Sequence, residues 1–290
     1  MSVRTIPTPV LLKKEADAIR ISVIQSLAEA GSGHLGGSLD LADILTVLYF
    51  SVLNHDPRNP SWDGRDRLIL SIGHVVPVLY ATLAHAGYFK VEELLTLRKL
   101  GSRLQGHPGR DHGLPGIELS SGSLGQGLSV SVGLALAAKM DQKCWKVFCI
   151  LGDGELQEGS VWEAAMAASY HRLDNLIAIV DRNGLQIDGR TEDVMPLEPL
   201  PEKWESFNWN VLECNGHDHV QILKTFKKIK YNSGKPTVII AHTIMGKGIP
   251  SIEGDYHWHG KAPSIEQAEE FIKEISRKPE RERTVNEQRR

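Results

Sequence analysis

The chain has 290 residues, with 33 Lys and Arg against 36 Asp and Glu, so its formal net charge is −3. This near balance argues against a protein that binds nucleic acid or a membrane surface through excess positive charge. The hydrophobic fraction of 41% and the charged fraction of 24% are ordinary for a globular protein, and a chain of this length buries enough surface to fold without disulfides.

The cysteines and the apolar segments bear on the cellular compartment. Cys144, Cys149 and Cys214 are odd in number and lack a Cys-x-x-Cys spacing, which favours free thiols in a reducing compartment. No segment reaches the ~18 consecutive apolar residues of a membrane helix. Residues 1–14 lack the continuous apolar core of a signal peptide. We therefore expect a cytoplasmic protein.

Helical and strand patterns alternate along the chain. Residues 15–30 and 41–52 place their apolar side chains on one helical face, and Asp40 is expected to cap the second helix. Short β-branched runs predict strands at 67–71, 146–151, 176–180, 210–212 and 237–241. Further helices are predicted at 124–138, 161–171, 220–230 and 265–276; the first is rich in small residues and is expected to pack internally. Capping boxes at Asp218/Gln221 and Ser264/Gln267 are expected to open the last two.

This alternation predicts an α/β fold class, with a mostly parallel sheet and helices on both faces. Residues 146–151 and 176–180 are apolar on both sides, as strands of a covered parallel sheet must be. We expect one domain over residues 1–277. The tail 278–290 contains a single aliphatic residue and is predicted to be disordered.

The segment that begins at Cys149 is the most informative part of the sequence. It predicts a buried strand, a turn with glycines at 152 and 154, and then a helix. Parallel sheets bind ligands at the carboxyl ends of their strands, where this turn lies. Gly152 and Gly154 would let the backbone approach a phosphate closely, and Asp153 offers a carboxylate oxygen. Because the next predicted strand ends near Asn183, that amide should reach the same edge of the sheet.

A carboxylate, an amide oxygen and a loop carbonyl suit Mg²⁺ or Ca²⁺, and this all-oxygen set argues against zinc. A Gly-Asp-Gly triplet alone is more often an ordinary β-turn, and that alternative stays open at this point. The segment lacks the Gly-Lys-Ser/Thr end of a P-loop and the Gly-x-Gly-x-x-Gly of dinucleotide-binding domains, which disfavours ATP and NAD. Gly-Asp-Gly followed about thirty residues later by Asn resembles the diphosphate-and-metal motif of thiamine-diphosphate enzymes.

Several of the 12 histidines lie in Gly-flanked turns, at Ser32-Gly-His34, Gly73-His74, Gly106-His107 and His257-Trp-His259-Gly260. Any one of them, taken alone, is more often a histidine of a surface loop. Their shared Gly-rich context suggests loops that converge on one cleft. There the imidazoles would donate hydrogen bonds to phosphate and sugar hydroxyls and transfer protons near neutral pH.

The order of these motifs resembles that of transketolase. The match runs from about residue 12 to residue 275. Besides the His turns it includes Pro-Gly-Ile-Glu-Leu-Ser-Ser-Gly-Ser-Leu-Gly-Gln-Gly at 115–127, Gly-Asp-Gly-Glu-Leu-Gln-Glu-Gly at 152–159 and Trp-His-Gly-Lys-Ala-Pro at 258–263. The chain is similar to the N-terminal, diphosphate-binding half of transketolase, specifically to the separate N-terminal subunit of split bacterial forms.

The resemblance implies a thiamine diphosphate site with Mg²⁺, for which Ca²⁺ or Mn²⁺ would be substitutes. It implies metal ligation by Asp153, Asn183 and the main-chain carbonyl of Leu185. It implies cofactor contacts from His74, Gly122, Ser123, Leu124, Gly154, Asn183 and His259, and a link by Glu158 between two active sites across a dimer. It implies a substrate channel with His34, His107 and His259 as the catalytic residues that assist proton transfer.

The sequence departs from the family pattern at three positions. Leu35 stands where Pro usually follows the first His. Ile72 and Met245 occupy positions where many relatives have Lys near the diphosphate. The loss of those cations would weaken cofactor affinity, with Mg²⁺ carrying more of the charge. Lys247 is a candidate to compensate, although its ordinary interpretation is a solvated loop lysine.

The resemblance also implies the activity and the partner. A transketolase cleaves a ketose phosphate between C2 and C3 and passes the two-carbon unit to an aldose acceptor. In the family, a glutamate that activates the cofactor lies in the pyrimidine-binding domain, before which this chain stops. We therefore expect the chain to be inactive alone and to need a separate C-terminal partner, in an α₂β₂ assembly with a homodimeric core. The alternatives are the α subunit of a split 2-oxo acid dehydrogenase and a non-catalytic diphosphate-binding module.

Overall fold

The computed structural model describes residues 7–277. Its strands are β1 (Arg67–Leu70), β2 (Val147–Gly152), β3 (Leu176–Arg182), β4 (Leu185–Gln186), β5 (Gly189–Arg190), β6 (Asn210–Asn215) and β7 (Thr237–His242). Five of them form one parallel sheet in the order β1-β2-β3-β7-β6, and β4 and β5 form a separate antiparallel pair. All five strands predicted for the main sheet are confirmed, with small differences at their ends.

The helices surround this sheet. They are α1 (Pro9–Ala30), α2 (Gly36–Asp40), α3 (Ala42–Val47), α4 (Val76–His85), α5 (Gly127–Met140), α6 (Gly159–Tyr170), α7 (Thr191–Val194), α8 (Leu200–Ser206), α9 (His219–Lys227) and α10 (Ile265–Ser276). Ser264 and Gln267 form the predicted capping box of α10. Asp218 caps α9 by accepting from the N–H groups of Val220 and Gln221, but the side-chain oxygen of Gln221 accepts from the N–H of Asn215, so the second half of that box is absent.

The predicted cap at Asp40 is wrong. The region expected as one helix at 41–52 consists of α3 and a π-helical turn, Leu48–Val52, and α2 precedes them. Asp40 is the last residue of α2 and is fully buried, while Leu41 precedes α3 without a side-chain capping bond. The apolar period concealed α2 because its first residues, Gly36 and Gly37, are poor helix formers.

Each face of the main sheet carries its own apolar core. Phe148, Ile150 and Ile179 belong to the core shared with α1, α3, α4, α9 and α10, whereas Cys149 and Val180 belong to the core shared with α5, α6 and α8. Alternate residues of a strand point to opposite faces of a sheet, so an apolar run without polar alternation is buried on both sides. The predicted fold class, with helices on both faces, is therefore confirmed.

Helix α5 corrects one detail of the prediction. It was expected to pack internally because of its small residues, but only one of its faces is buried. Val130 is 38% exposed and Met140 is 75% exposed. Gly, Ala and Ser allow close packing on any helix face, so composition alone did not distinguish an internal helix from one with an open side.

Within residues 7–277, no helix is long and apolar enough to cross a membrane. The three cysteines are free thiols: Cys144 is exposed, and Cys149 and Cys214 are buried. The domain limit at residue 277 stays a prediction, and the tail 278–290, predicted to be disordered, lies outside the described residues.

Candidate active site

The carboxyl ends of β2 and β3 open into a cleft of about 240 Å³. Most of the site residues expected from the sequence line it: His74, Leu124, Asp153, Gly154, Glu158, Asn183, Leu185 and His259. The other lining residues are Gly37, Ile72, Val75, Gly152, Glu155, Gln157, Asp181, Gln186, Ile187 and Met245. His34, His107, Gly122 and Ser123 lie outside this lining.

Asp153 follows β2 and is 2% exposed. Its Oδ1 accepts from the N–H of Gly154 at 2.8 Å. Its Oδ2 accepts from the N–H of Gly184 at 2.7 Å and from the Arg182 guanidinium at 2.9 Å. Burial raises the pKa of Asp153, while Arg182 and the two amides act against that rise. The carboxylate is therefore fixed by donors from both the β2 turn and the β3 turn.

Asn183 lies in the turn after β3, which carries it to the same edge of the sheet. Its side-chain oxygen Oδ1 accepts from the N–H of Leu185 at 2.8 Å, and its Nδ2 donates to Oδ2 of Asp40 at 2.9 Å. Within the described residues no group of three or more His, Cys, Asp or Glu side chains is placed to hold a metal. The expected set has a single carboxylate, so the remaining positions around an ion would need ligand oxygens or water. This chemistry fits Mg²⁺ held together with a diphosphate.

Three histidines converge beside this turn. The ring centroids of His34 and His74 are 4.9 Å apart, those of His74 and His259 are 5.0 Å apart, and those of His34 and His259 are 6.0 Å apart. Burial, followed by the neighbouring histidines, lowers the pKa of His34 to about 4 and that of His74 to about 3. Burial also lowers the pKa of His259. These imidazoles are therefore neutral at pH 7.

Two nitrogens of this cluster lack a partner inside the protein. Nδ1 of His34 and Nδ1 of His259 are buried and make no hydrogen bond. A buried polar atom without a partner costs about 1–3 kcal/mol. Such atoms beside a cleft are satisfied when a polar ligand enters, which fits a cofactor and a sugar with hydroxyl groups.

The loop Gly122-Ser123-Leu124 closes another side of the cluster. A Cβ added to Gly73 would lie 2.8 Å from the backbone nitrogen of Gly122, so this loop packs directly on the turn that carries His74. A Cβ on Gly122 would lie 3.2 Å from the ring of His107, which is exposed at the outer side of the loop. Burial, followed by the charge of Arg98, lowers the pKa of His107. His107 thus borders the loop without lining the cleft.

Two glutamates of one segment differ in their environment. Glu155 is 2% exposed, and its Oε1 accepts from the N–H of Gly125 at 2.8 Å and from the hydroxyl of Ser71. Its Oε2 accepts from the N–H of Gly152 at 3.1 Å. Glu155 therefore ties the end of β1, the end of β2 and the start of α5 together. Glu158 is exposed at the rim of the cleft, where α6 begins.

Sequence reasoning missed four charged residues at this site: Asp40, Glu155, Asp181 and Arg182. Burial raises the pKa of both Asp40 and Asp181, and the two carboxyl groups reinforce this effect because they repel each other. Arg182 donates to Asp153, Thr191, Glu192 and Glu198. Asp181 and Arg182 immediately precede Asn183, so their position was visible in the sequence, but their partners were not.

The positions that depart from the family pattern are buried and apolar. Ile72 is 4% exposed and Met245 is 1% exposed, and both line the cleft. Lys247 does not line it and instead pairs with Glu253 at 3.1 Å. The described lining therefore contains neither Lys nor Arg. Compensation by Lys247 finds no support in this arrangement. Leu35 is buried in the core beneath His34.

The model of the family described as transketolase, thiamine diphosphate binding domain, matches residues 12–288. The chain belongs to the transketolase family. This transketolase-type chain is 44% identical to a Phocaeicola vulgatus protein named as one subunit of apulose-4-phosphate transketolase, over 93% of this chain and 95% of that protein. It is 43% identical to a Clostridium protein named as one subunit of 6-deoxy-6-sulfo-D-fructose transketolase, over 92% of this chain and 96% of that protein.

Solved structures agree with this membership. A transketolase from Leishmania mexicana superimposes with a TM-score of 0.87 at 31% identity and covers 95% of this chain. The chain spans 42% of that structure, and likewise 42% of human transketolase, to which it is 41% identical. The chain is thus a transketolase subunit of the thiamine-diphosphate-binding kind, and its chemistry is ketol transfer. Of the two thiamine-enzyme hypotheses, these relatives support transketolase and not the α subunit of a 2-oxo acid dehydrogenase.

Proposed function

We propose that this chain holds thiamine diphosphate and Mg²⁺ for a split transketolase that moves a two-carbon unit from a ketose phosphate, or a related ketose, to an aldose. One observation carries the proposal. The Asp153 carboxylate accepts from the turn that presents Asn183, and both line a cleft beside a cluster of neutral histidines. Oxygen donors for a metal and polar groups for a sugar therefore share one opening.

In this proposal Asp153, Asn183 and the main-chain carbonyl of Leu185 hold the metal. Mg²⁺ is the proposed ion, and Ca²⁺ or Mn²⁺ would serve as substitutes because they also prefer oxygen ligands. His74, Gly154, His259 and the loop Gly122-Ser123-Leu124 contact the cofactor, which when bound supplies the carbanion chemistry of C–C cleavage. Gly154 leaves space next to Gln186, since an added Cβ would lie 3.3 Å from that side chain.

His34, His107 and His259 are the proposed residues for binding the ketose and moving its hydroxyl protons. Neutral imidazoles both donate and accept hydrogen bonds, and the unpartnered Nδ1 atoms of His34 and His259 have this capacity free. His107 lies at the outer side of the 122–124 loop, where an entering substrate would meet it first. The direct test is substitution of each by Gln, with kcat and KM measured for the donor and the acceptor separately.

We further propose that a separate C-terminal subunit with the pyrimidine-binding domain completes the site, in an α₂β₂ assembly with a homodimeric core. The relatives matched over almost their whole length are named as subunits, which supports a partner. The core is supported by the adjacent helices α5 and α6. Their outer faces leave Met140, Met166 and Tyr170 exposed by 75%, 58% and 81%. Glu158 at the start of α6 would then lie near the second copy.

The assembly is tested by mass measurement in solution. Met166→Glu places a charge on the outer face of α6, and we expect it to halve the mass of the assembly or to weaken its association strongly. Leu100→Glu is the matched control, because Leu100 is fully exposed and lies on neither helix. Unchanged association of the Met166→Glu variant would contradict the proposed core.

The activity is tested with the chain alone and with its partner subunit. We expect no ketol transfer from the chain alone and transfer from the pair with xylulose 5-phosphate or with a modified ketose. The names of the two relatives make apulose 4-phosphate and 6-deoxy-6-sulfo-D-fructose the modified donors to compare. Robust transfer by the lone chain would contradict the split enzyme, and turnover of pyruvate instead of a ketose would contradict the transketolase reaction. The proposed setting is carbohydrate metabolism in the cytoplasm.

A further inference from the structure

Asp40 is a buried carboxyl group that sequence reasoning assigned to a helix cap and that the proposed reaction does not use. Its exposed fraction is 0%, and each of its oxygens accepts one hydrogen bond. Oδ1 accepts from the N–H of Gly246 at 2.9 Å, and Oδ2 accepts from Nδ2 of Asn183 at 2.9 Å. Asp40 therefore joins α2, the loop after β7 and the turn after β3, which are distant in sequence.

The bond to Asn183 decides which end of that amide faces where. An amide has a donor end and an acceptor end of nearly the same shape, and its surroundings alone determine the orientation. Because Nδ2 donates to Asp40, Oδ1 must occupy the other end, where it accepts from the N–H of Leu185 at 2.8 Å. The acceptor end is the one that a metal needs.

The nearest arginine does not compete for Asp40 as a hydrogen-bond donor. Arg20 donates two bonds to Asp43 and one to the carbonyl of Leu39. Both oxygens of Asp40 therefore remain committed to N–H donors from Gly246 and Asn183. A carboxyl group supplies two acceptor oxygens in this geometry, whereas Asn at the same position supplies one acceptor and one donor.

We propose that Asp40 is a positioning residue of the cofactor site, which locks the amide of Asn183 with its oxygen available to the metal. The inference rests on the proposed metal role of Asn183. It adds that the orientation of this ligand is set from α2, the short helix that follows His34. Partners of this kind around a metal ligand are worth roughly 10- to 100-fold in metal affinity.

The Asp40→Asn substitution tests the inference with little change in shape. Its amide cannot accept from both N–H donors, so the Asn183 amide must turn its oxygen toward residue 40 or lose its bond. We expect Mn²⁺ affinity in the presence of thiamine diphosphate, followed by electron paramagnetic resonance of the assembled protein, to fall roughly 10- to 100-fold. This measurement does not depend on turnover.

A reciprocal exchange supplies the rescue. In the double variant Asp40→Asn with Asn183→Asp, the amide at 40 accepts from Gly246 and donates to the carboxylate at 183. That carboxylate keeps its second oxygen for the metal. We expect each single variant to bind Mn²⁺ weakly and the double variant to recover most of the affinity. A double variant that binds no better than the singles would overturn the inference.

Asp43→Asn is the matched control for folding. Asp43 is also buried, three residues away, and pairs with Arg20 and His217 without contacting Asn183. We expect it to lower the melting temperature and to leave Mn²⁺ affinity unchanged. Equal losses of affinity in the Asp40→Asn and Asp43→Asn variants would reduce Asp40 to a structural role. Absence of Mn²⁺ binding by the unaltered protein would instead refute the proposed metal site itself.

Discussion

Replacing Gly73 by Ala tests the packing that holds the 122–124 loop against the His74 turn. Gly73 has a backbone conformation open to other residues, so the substitution acts through space alone. The added Cβ would lie 2.7 Å from Oγ of Ser121, 2.8 Å from the nitrogen of Gly122 and 2.9 Å from the carbonyl carbon of Ser121. Two of these three atoms belong to the backbone and do not rotate away.

The size of the effect follows from these distances. An ordinary contact starts at 3.4 Å, so the nitrogen of Gly122 must retreat by about 0.6 Å. The same movement strains the bond from the Ser121 hydroxyl to the carbonyl of Leu70, which is 2.7 Å long. Overpacking of this kind costs about 1–3 kcal/mol. If half or more of that cost falls on the cofactor complex, thiamine diphosphate affinity decreases by roughly tenfold or more, since about 1.4 kcal/mol corresponds to tenfold.

Two measurements separate stability from binding. Urea unfolding of the cofactor-free chain gives the first, and calorimetric titration of thiamine diphosphate with Mg²⁺ into the assembled protein gives the second. Gly159→Ala is the control, because its Cβ would meet no atom within 4 Å and its position at the start of α6 tolerates Ala. A Gly73→Ala variant that loses stability but binds the cofactor as before would refute the assignment of Gly122, Ser123 and Leu124 to the cofactor.

Asp153→Asn should reduce Mg²⁺-dependent cofactor affinity more than about a hundredfold in calorimetry, and EDTA should do the same to the unaltered protein; normal binding in either case would remove the metal assignment. Glu155→Ala leaves three buried donors without an acceptor and should cost about 3 kcal/mol in urea unfolding, whereas exposed Glu158→Ala should stay within about 0.5 kcal/mol. As pH falls from about 6.5 to about 4, unfolded histidines bind protons while His34 and His74, with pKa values of about 4 and about 3, do not. The unfolding free energy should therefore fall over this window, and less steeply in His34→Gln; equal slopes would contradict the burial of these imidazoles.

Much of the fold could be predicted because its signals are local. The run 146–151 is apolar at every position but the first, which is sufficient to identify a strand covered on both faces. The capping box of α10 is a pattern of four consecutive residues and was also predicted correctly. Asp40 failed for the opposite reason: its partners lie 143 and 206 residues away, and only the folded chain brings them together.

The site divides in the same way. Asp153 and Asn183 follow neighbouring parallel strands, so topology alone predicts that they meet at one sheet edge. The convergence of His34, His74 and His259 was suggested only by their glycine-rich turns, and His107 shows that the same context also occurs outside the cleft. Environment was beyond the sequence. Nothing local in Gly-Asp-Gly-Glu indicates that Glu155 is buried under three donors while Glu158 is exposed.

The charge of the cleft connects the metal to the substituted positions. The lining residues include the carboxyl groups of Asp153, Glu155, Glu158 and Asp181, and among the described lining residues there is no Lys or Arg. Arg182 is the cation behind Asp153, but its guanidinium already contacts three carboxylates. A diphosphate entering this cleft meets neutral imidazoles and backbone N–H groups as donors, and these offset little of its charge. Because like charges repel strongly in a poorly solvated site, the divalent ion must supply the attraction that lysines at positions 72 and 245 would otherwise provide.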